Sequence, residues 1–425
     1  MTERITEIPE GWKMTTLGEV AEIIMGQSPN GESYNQNNDG LPFYQGITEF
    51  GDKYVGFKKF TNQPTKIIKE NTILFSVRAP VGRVNFTKHK ACIGRGNAGL
   101  QMKNNQQEFL YYILKQKEKE FLRNSTGTVF DSISGLELRN TKIVIPENEV
   151  EQRAIAGVLS SLDDKIELLR EQNKTLEAIA QAIFKHWFID FEFPDKNGNP
   201  YKSSGGKMIE SELGNIPEVW RVGKIIDLID ILPGFAFPSS DFLQDGKYKL
   251  VTIKNVQDRY FDSETKDRLS TLPAKMPDYC KLDTSDILLS LTGNVGRTCL
   301  VNGENFLLNQ RVAKLKAKNQ IDYAFTYLLF LQNSIFSLLQ STASGTAQQN
   351  LSPIQTKEIE IIIADRKTLD QFGMVANKLI QKVNDNNSQI QTLSALRDSL
   401  LPRLMSGKIR VKGLSSAELR FGDEN

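Results

Sequence analysis

The sequence predicts an α+β protein, in which two pseudo-repeated mixed α/β domains are separated by two long antiparallel coiled-coil helices. Three observations lead to this fold class: the chain repeats itself, each repeat ends in a heptad pattern, and a turn-rich segment separates the repeats. The chain has 425 residues, which exceeds what one ordinary hydrophobic core supports, so several domains are expected.

The repeat begins near the N-terminus and is long. The motif Ile-Pro-Glu-Gly-Trp at 8–12 returns as Ile-Pro-Glu-Val-Trp at 216–220. Further matches follow in the same order: 73–76 with 287–290, 81–83 with 295–297, 127–128 with 345–346, and 143–145 with 361–363. The offset grows slowly along the chain, as loop insertions between fixed elements would produce. We therefore expect two domains with the same layout.

The repeat also sets the domain boundaries. A stretch rich in Pro, Asn, Gly and Ser follows the first heptad segment and is typical of a linker. We predict a first domain at 1–148, a first spacer helix at 149–190, a linker at 191–207, a second domain at 208–364, a second spacer helix at 365–407 and a C-terminal tail at 408–425.

Both predicted spacer helices carry a heptad seam, in which apolar positions alternate steps of three and four residues. The first seam comprises Ile155, Leu159, Leu162, Ile166, Leu169, Asn173, Leu176, Ala180, Ile183 and Trp187. The second comprises Leu369, Phe372, Ala376, Leu379, Val383, Asn386, Ile390, Leu393, Arg397, Leu400 and Leu404. Two such helices in one chain favour antiparallel pairing with each other. The pattern is broken at one position of the second seam, where Leu396 offers a substitute for Arg397.

Each seam contains one asparagine, Asn173 or Asn386, and two interpretations are open. A buried asparagine fixes the register, because mispairing strands its amide. Alternatively, both asparagines face solvent where the seam frays. About 35 helical residues would span roughly 50 Å, which corresponds to about 15 base pairs of B-DNA.

The net charge is only +2, so any nucleic-acid surface must be local. One segment, 66–95, is strongly basic and carries only one acidic residue, Glu70. Its basic residues are Lys66, Lys69, Arg78, Arg83, Lys88, Lys90 and Arg95. This segment is either a phosphate-binding patch or an ordinary solvated surface.

Side chains that can read base edges occur in both halves. Arg and Lys suit guanine, whereas Asn and Gln suit adenine, because each forms two hydrogen bonds with one base edge. The candidates are Gln45, Arg78, Arg83, Arg95 and Asn97 in the first half, and Lys254, Asn255, Asn294, Arg297, Asn309, Gln310 and Arg311 in the second.

Signals for catalysis are weak. The stretch Gly-Arg-Gly-Asn-Ala-Gly at 94–99 matches a dinucleotide pattern, but the second copy, at 309–314, has no glycine there, so we interpret it as a close-approach loop. The two histidines and three cysteines lack metal-ligand spacing. No signal peptide or membrane span is evident, and we expect a cytoplasmic protein that is not itself an enzyme and holds no metal.

Two further stretches carry a family resemblance. The sequence Gln-Ala-Ile-Phe-Lys-His-Trp-Phe-Ile-Asp-Phe ends the first spacer helix at 181–191, and Leu-Leu-Pro-Arg-Leu-Met-Ser-Gly-Lys-Ile-Arg ends the second at 400–410. Together with the two Ile-Pro-Glu-x-Trp openings, they resemble the specificity subunits of type I restriction-modification systems.

This resemblance implies that each domain is a target recognition domain reading half of a bipartite site in double-stranded DNA. It implies that the helices set the spacing and carry two methyltransferase subunits, and that restriction subunits join the complex. S-adenosylmethionine, ATP and Mg²⁺ would then be bound only in those partner subunits, and this chain would need no cofactor. The alternative function is a two-headed coiled-coil scaffold that binds other proteins.

Three aromatic residues near the end of the first spacer helix share one helical face: Phe184, Trp187 and Phe188. We predict that they contact a methyltransferase subunit. The alternative is that they pack against the neighbouring recognition domain.

Overall fold

The computed structural model describes residues 8–125, 132–343 and 349–411. The predicted match of 127–128 with 345–346 and the tail from residue 412 lie outside the described residues. The chain forms two compact units. The N-terminal unit contains the residues up to Ile166 together with those from Leu393 onward, and the central unit is Glu167–Thr392.

The N-terminal unit is built on two sheets. Its first sheet is antiparallel, in the order Ala21–Met25, Asn97–Met102, Ile73–Ser76, Val84–Phe86. Its second sheet has the order Tyr34–Asn35, Phe60–Thr61, Leu41–Tyr44, Ala91–Ile93, Ile67–Ile68, and only its Leu41–Tyr44 and Ala91–Ile93 pair is parallel. The other elements are the strand pair Trp12–Thr16 and Lys142–Pro146 and the helices Leu17–Val20, Gly31–Ser33, Gln107–Ser125 and Gly135–Arg139.

The central unit repeats this topology. Its antiparallel sheet has the order Ile229–Pro233, Val312–Ala317, Ile287–Ser290, Thr298–Leu300. Its second sheet has the order Arg268–Leu269, Tyr248–Val251, Phe306–Leu308, Lys281–Leu282, again with one parallel pair. The other elements are the strand pair Arg221–Lys224 and Glu360–Ile363, the hairpin Met208–Ser211 and Gly214–Pro217, and the helices Ile225–Leu228, Ser239–Asp241, Asp278–Cys280, Gln320–Asp322, Tyr323–Phe330, Asn333–Thr342 and Pro353–Lys357. The predicted duplication is therefore confirmed at the level of strand order.

One strand in each unit is buried on both faces, and this explains its continuous apolar sequence. In Ile73–Ser76, the side chains of Ile73 and Phe75 join the cluster that contains the helix Gln107–Ser125, whereas Leu74 joins the cluster of the second sheet. The strand Ile287–Ser290 divides its side chains in the same way. Because successive side chains alternate between faces, a strand between two layers must be apolar throughout.

The long helices are Glu149–Phe184 and Arg366–Met405. A π-helical turn, Lys185–Ile189, continues the first. In the N-terminal unit, Ile155 near the start of the first helix shares a core cluster with Leu404 near the end of the second. In the central unit, Phe184 near the end of the first helix contacts Phe372 near the start of the second. Each unit thus shows the predicted antiparallel pairing.

The asparagines of the two seams are buried and bonded to each other within the central unit. The Nδ2 of Asn386 donates to Oδ1 of Asn173 at 2.8 Å, and Nδ2 of Asn173 donates to Oδ1 of Asn387 at 2.8 Å. Asn386 is only 1% exposed. The first of the two sequence interpretations is therefore correct, and a shifted register would leave these amides without partners.

Arg397, which interrupts the second apolar seam, also makes a polar contact at the helix pair. The expectation that Leu396 replaces it is wrong. Leu396 is 45% exposed, whereas the Arg397 guanidinium donates to Asp163 at 2.7 Å within the N-terminal unit. The Tyr112 hydroxyl donates to the other oxygen of Asp163 at 2.6 Å. Burial opposes the charge on Arg397, but the hydrogen bond to Asp163 raises the pKa of Arg397 above its ordinary value.

Aromatic residues anchor the predicted linker 191–207 to the central unit, although most of its residues are exposed. Phe193 is buried, and its ring stacks on Trp220 and Tyr201 with centroids 4.8 and 4.6 Å apart. The Tyr201 amide donates to the Phe193 carbonyl at 2.9 Å. Pro194 and Pro200 pair in an isolated antiparallel β-bridge, and residues 201–205 form turns.

We predict that Arg397→Ala destabilises the helix pair of the N-terminal unit by about 2–3 kcal/mol, because it leaves the Asp163 carboxylate buried and without its counter-charge. The exposed pair of Lys174 and Glu171 provides a control, since Lys174→Ala should cost less than about 0.5 kcal/mol. Hydrogen exchange measured by mass spectrometry over residues 155–166 tests this. Equal protection in the two variants would contradict the expectation.

Candidate nucleic-acid interface

The loop 94–96 of the N-terminal unit connects the strand Ala91–Ile93 to the strand Asn97–Met102 and exposes the Arg95 side chain. The Gly96 amide donates to the Gln45 carbonyl at 3.2 Å, and a Cβ on Gly96 would lie 2.4 Å from that oxygen. Only glycine permits this approach. The predicted close-approach loop is therefore confirmed.

This loop brings together three of the predicted base-reading residues. Gln45, Arg78 and Arg95 line one cavity of about 180 Å³. Their side chains are exposed, and they come from three separate parts of the chain. The cavity thus offers two guanidinium groups and one amide at one surface site, as hydrogen bonding to base edges requires.

A second cavity of about 360 Å³ adjoins the first, because Ile47 lines both. Arg83 and Lys115 line this second cavity. Both are paired with Glu118, at 2.8 Å from Arg83 and 3.1 Å from Lys115. Lys115 is not among the residues predicted from the sequence, since a single lysine within a helix gives no local signal. The two cavities share Ile47, and Asp52 also lines the second one; we call the surface that they form together the basic groove below.

The remaining basic residues of segment 66–95 lie elsewhere on the unit. Lys66 and Lys69 flank the edge strand Ile67–Ile68, while Lys88 and Lys90 lie in the turn before Ala91–Ile93. All four are exposed, and Lys88 Nζ lies 4.4 Å from the centroid of the Tyr54 ring. The basic segment is therefore divided between the groove and the edge of the second sheet.

Two predicted base readers are structural residues instead, and their assignment is wrong. Asn97 is fully buried, and its Nδ2 donates to the carbonyls of Tyr44 and Gly46 at 3.1 and 3.0 Å. Asn255 is 2% exposed. Its Oδ1 accepts from the amide and hydroxyl of Thr252, and its Nδ2 donates to the carbonyls of Asp262 and Glu264. Neither amide is available to a base.

The other candidates of the central unit remain near its surface. Lys254, Asn294, Gln310 and Arg311 are exposed, whereas Asn309 and Arg297 are partly buried. The Arg297 guanidinium donates to Gln257 Oε1, and Asn309 Oδ1 accepts from the Gln310 amide at 2.8 Å. Whether these residues contact DNA stays a prediction.

The aromatic residues at the end of the first long helix belong to the core of the central unit. Phe184 and Phe188 are buried, and both rings contact Phe325 and Phe372. Trp187 packs against Phe372 with centroids 5.7 Å apart. For the buried Phe184 and Phe188, the prediction of a partner contact is wrong and the alternative of packing against the adjacent domain is correct. For the partly buried Trp187, a partner contact stays a prediction.

The described residues contain neither a metal-binding cluster nor a helix that could span a membrane. Within the described ranges, three or more His, Cys, Asp or Glu side chains are nowhere grouped so that they could hold a metal ion. Of the helices in those ranges, none combines the length and apolar character needed to cross a bilayer.

Comparison with known proteins identifies the repeated unit. The family model of the type I restriction modification DNA specificity domain matches twice, at residues 9–178 and 217–385. The MjaIX type I restriction enzyme specificity subunit of Methanocaldococcus jannaschii is 27% identical and aligns over 96% of each chain. The HindI specificity subunit of Haemophilus influenzae is 26% identical over 83% of this chain and 89% of its own length.

The fold is also similar to a solved structure. The crystal structure of a type I restriction-modification system S subunit from M. genitalium superposes with a TM-score of 0.57 at 18% sequence identity. The superposition covers 95% of this chain and 98% of that one. At this identity, the similarity concerns the fold.

We predict that Asn255→Ala destabilises the central unit by about 2–3 kcal/mol, because two backbone carbonyls and the Thr252 groups lose their buried partner. Asn294→Ala is the matched control and should change stability little, since Asn294 is exposed. Thermal denaturation of both variants tests this. A loss confined to Asn294→Ala would show that the structural assignment of Asn255 is mistaken.

Proposed function

This chain belongs to the family of type I restriction-modification DNA specificity proteins, and we propose that its two recognition domains each read one half of a bipartite site in double-stranded DNA. It is a specificity subunit with two recognition domains, one in each unit. The single observation that best supports DNA reading is the convergence of Gln45, Arg78 and Arg95 on one cavity.

The basic groove presents groups that suit both components of DNA recognition, namely contacts with base edges and contacts with the phosphate backbone. Arg78, Arg95 and Gln45 present paired donors, and Gln45 also an acceptor, to base edges. Arg83 and Lys115 lie at the adjoining cavity, where their positive charge would attract the DNA backbone. Glu118 lies between the two and orients them in the free protein. We propose that phosphates compete with Glu118 for these cations.

We further propose that two methyltransferase subunits dock on the long helices and that restriction subunits join them. Large apolar side chains remain exposed on these helices, including Leu168 and Ile179 on the first and Val375 on the second. Contiguous exposed apolar patches mark interaction sites, and we propose that these residues belong to such patches. S-adenosylmethionine, ATP and Mg²⁺ would be bound in the partner subunits, and this chain would supply recognition without catalysis.

The test of DNA reading is selection of bound duplexes from a random-sequence pool by the full-length chain, alone and with a co-expressed type I methyltransferase subunit. Enrichment of two short sequences at a fixed separation supports the proposal. A chain that captures proteins but enriches no DNA sequence would instead be the two-headed scaffold.

We predict that Arg83→Ala and Lys115→Ala each weaken binding to all DNA sequences about equally. Each variant should lower the slope of log affinity against log salt by about 0.9, the value for one lost phosphate contact. Lys13→Ala is the control, because Lys13 is exposed on the separate strand Trp12–Thr16. Fluorescence anisotropy titrations at several salt concentrations measure the slope. An unchanged slope in both groove variants would exclude these two residues as phosphate contacts.

We also predict that removing one heptad from each long helix shortens the gap between the two half-sites by about 3 base pairs, since seven helical residues span about 10 Å. The apolar seam survives a heptad deletion. Selection from the random-sequence pool should return both original half-sites at the shorter separation. Altered half-sites at an unchanged separation would contradict a spacing role for the helices.

A further inference from the structure

The loop that carries Arg95 has a counterpart in the central unit, the loop 309–311 between the strands Phe306–Leu308 and Val312–Ala317. The same backbone hydrogen bonds hold both loops. Gly26 N donates to Asn97 O, as Gly234 N does to Val312 O, and Gln27 N donates to Ile93 O, as Phe235 N does to Leu308 O. Gly94 N donates to Tyr44 O, as Asn309 N does to Val251 O, and Val77 N donates to Gly96 O, as Leu291 N does to Arg311 O. In each comparison the first bond belongs to the N-terminal unit and the second to the central unit, and all distances lie between 2.9 and 3.2 Å. These bonds align Arg95 with Gln310.

A close approach beneath each loop confirms the alignment. A Cβ on Gly26 would lie 2.1 Å from the carbonyl oxygen of Gly94, and a Cβ on Gly234 would lie 2.1 Å from that of Asn309. Glycine is therefore required at the same place in both units. The two loops share these hydrogen bonds and this close approach, and they differ in the side chains that they present.

The central loop differs from the first in backbone conformation at one position, where Arg311 stands in place of Gly96 and only Arg311 has a positive φ. Arg311 adopts a φ of 73°, a left-handed conformation that non-glycine residues rarely occupy. Such outliers concentrate at functional sites, where the surrounding structure holds them. The four hydrogen bonds are thus retained while Gly-Arg-Gly in one unit is replaced by Asn-Gln-Arg in the other.

We propose that Arg95 and Gln310 are equivalent specificity-determining residues, which select guanine in one half-site and adenine in the other. The inference rests on the proposed DNA-reading function and adds which residues choose the bases. An arginine bonds both acceptors of the guanine edge, whereas a glutamine bonds the acceptor and the donor of the adenine edge. Both side chains are exposed on their loops, and Arg95 lines the cavity with Gln45 and Arg78.

A phosphate-binding role does not explain this pair of residues. The phosphate contacts that release counterions come from Lys and Arg, whereas the neutral Gln310 could add only a hydrogen bond to a phosphate oxygen. The property that arginine and glutamine share is a planar end group with two hydrogen-bonding atoms. Their backbone amides are also fixed, since Arg95 N donates to Ser28 Oγ at 3.3 Å and Gln310 N to the Phe235 carbonyl at 3.0 Å. Such fixed presentation is what base discrimination requires.

The reciprocal substitutions Arg95→Gln and Gln310→Arg test the inference in the selection from random-sequence duplexes, with the full-length chain as above. Arg95→Gln should change the preferred base from guanine to adenine at one position of one half-site, by about tenfold in relative enrichment. Gln310→Arg should cause the opposite change in the other half-site. The unaltered half-site in each variant shows that the chain is folded and bound. Lys13→Gln removes the same charge from an unrelated strand and should alter neither half-site.

The possible failures are distinguishable. If Arg95→Gln weakens binding to every sequence and reduces the salt slope, Arg95 is a phosphate contact, and the inference is overturned while the proposed function stands. If both half-sites are selected with unchanged bases in both variants, the inference also fails alone. If the wild-type chain selects no bipartite sequence, the proposed function fails and the inference fails with it.

Discussion

The antiparallel pairing of the two long helices is the constraint on which both units depend. Each unit takes the end of one helix and the beginning of the other into its own core. Leu404, a seam residue of the second helix, belongs to the same core cluster as Trp12. Phe372 of the same helix packs on Phe184. The helices are thus part of each hydrophobic core, so the boundaries predicted at 148 and 364 separate residues that fold together.

Two polar contacts specify this pairing where the apolar seam alone would tolerate a shift. Asn173 with Asn386 in the central unit and Asp163 with Arg397 in the N-terminal unit each satisfy groups that water cannot easily reach. A heptad slip would preserve the apolar contacts but leave these groups without partners. The free-energy cost of leaving these polar groups without partners therefore sets the register of the two helices.

The duplication explains how one scaffold can present two different surfaces. The doubly buried strands Ile73–Ser76 and Ile287–Ser290 permit little change, because both of their faces are packed. The loops at the ends of the neighbouring strands face solvent, so Arg95 and Gln310 can differ without disturbing either core. The packing of these strands keeps the hydrogen bonds of the two loops the same, and it leaves the exposed loop side chains free to differ.

The sequence predicted the features that have a local periodicity, namely the repeat, the heptad helices and the seam asparagines. It did not distinguish the buried Asn97 and Asn255 from the exposed Asn294, because burial depends on carbonyl groups contributed by distant residues. The role of Phe184 and Phe188 was misjudged for the same reason: their partners, Phe325 and Phe372, lie far along the chain. Arg95, Gln45 and Arg78 were identified individually, but their convergence required the three-dimensional fold.

The return of the C-terminal segment to the N-terminal unit has a consequence for biosynthesis. Arg410 forms an ion pair with Glu151 and donates to the carbonyl of Glu10. The N-terminal unit therefore lacks part of its core and these contacts until the residues from Leu393 onward have been synthesised. The central unit, whose residues are contiguous, can complete its fold earlier. A nascent or prematurely terminated chain would hold an unfinished first domain that exposes apolar surface to chaperones and proteases.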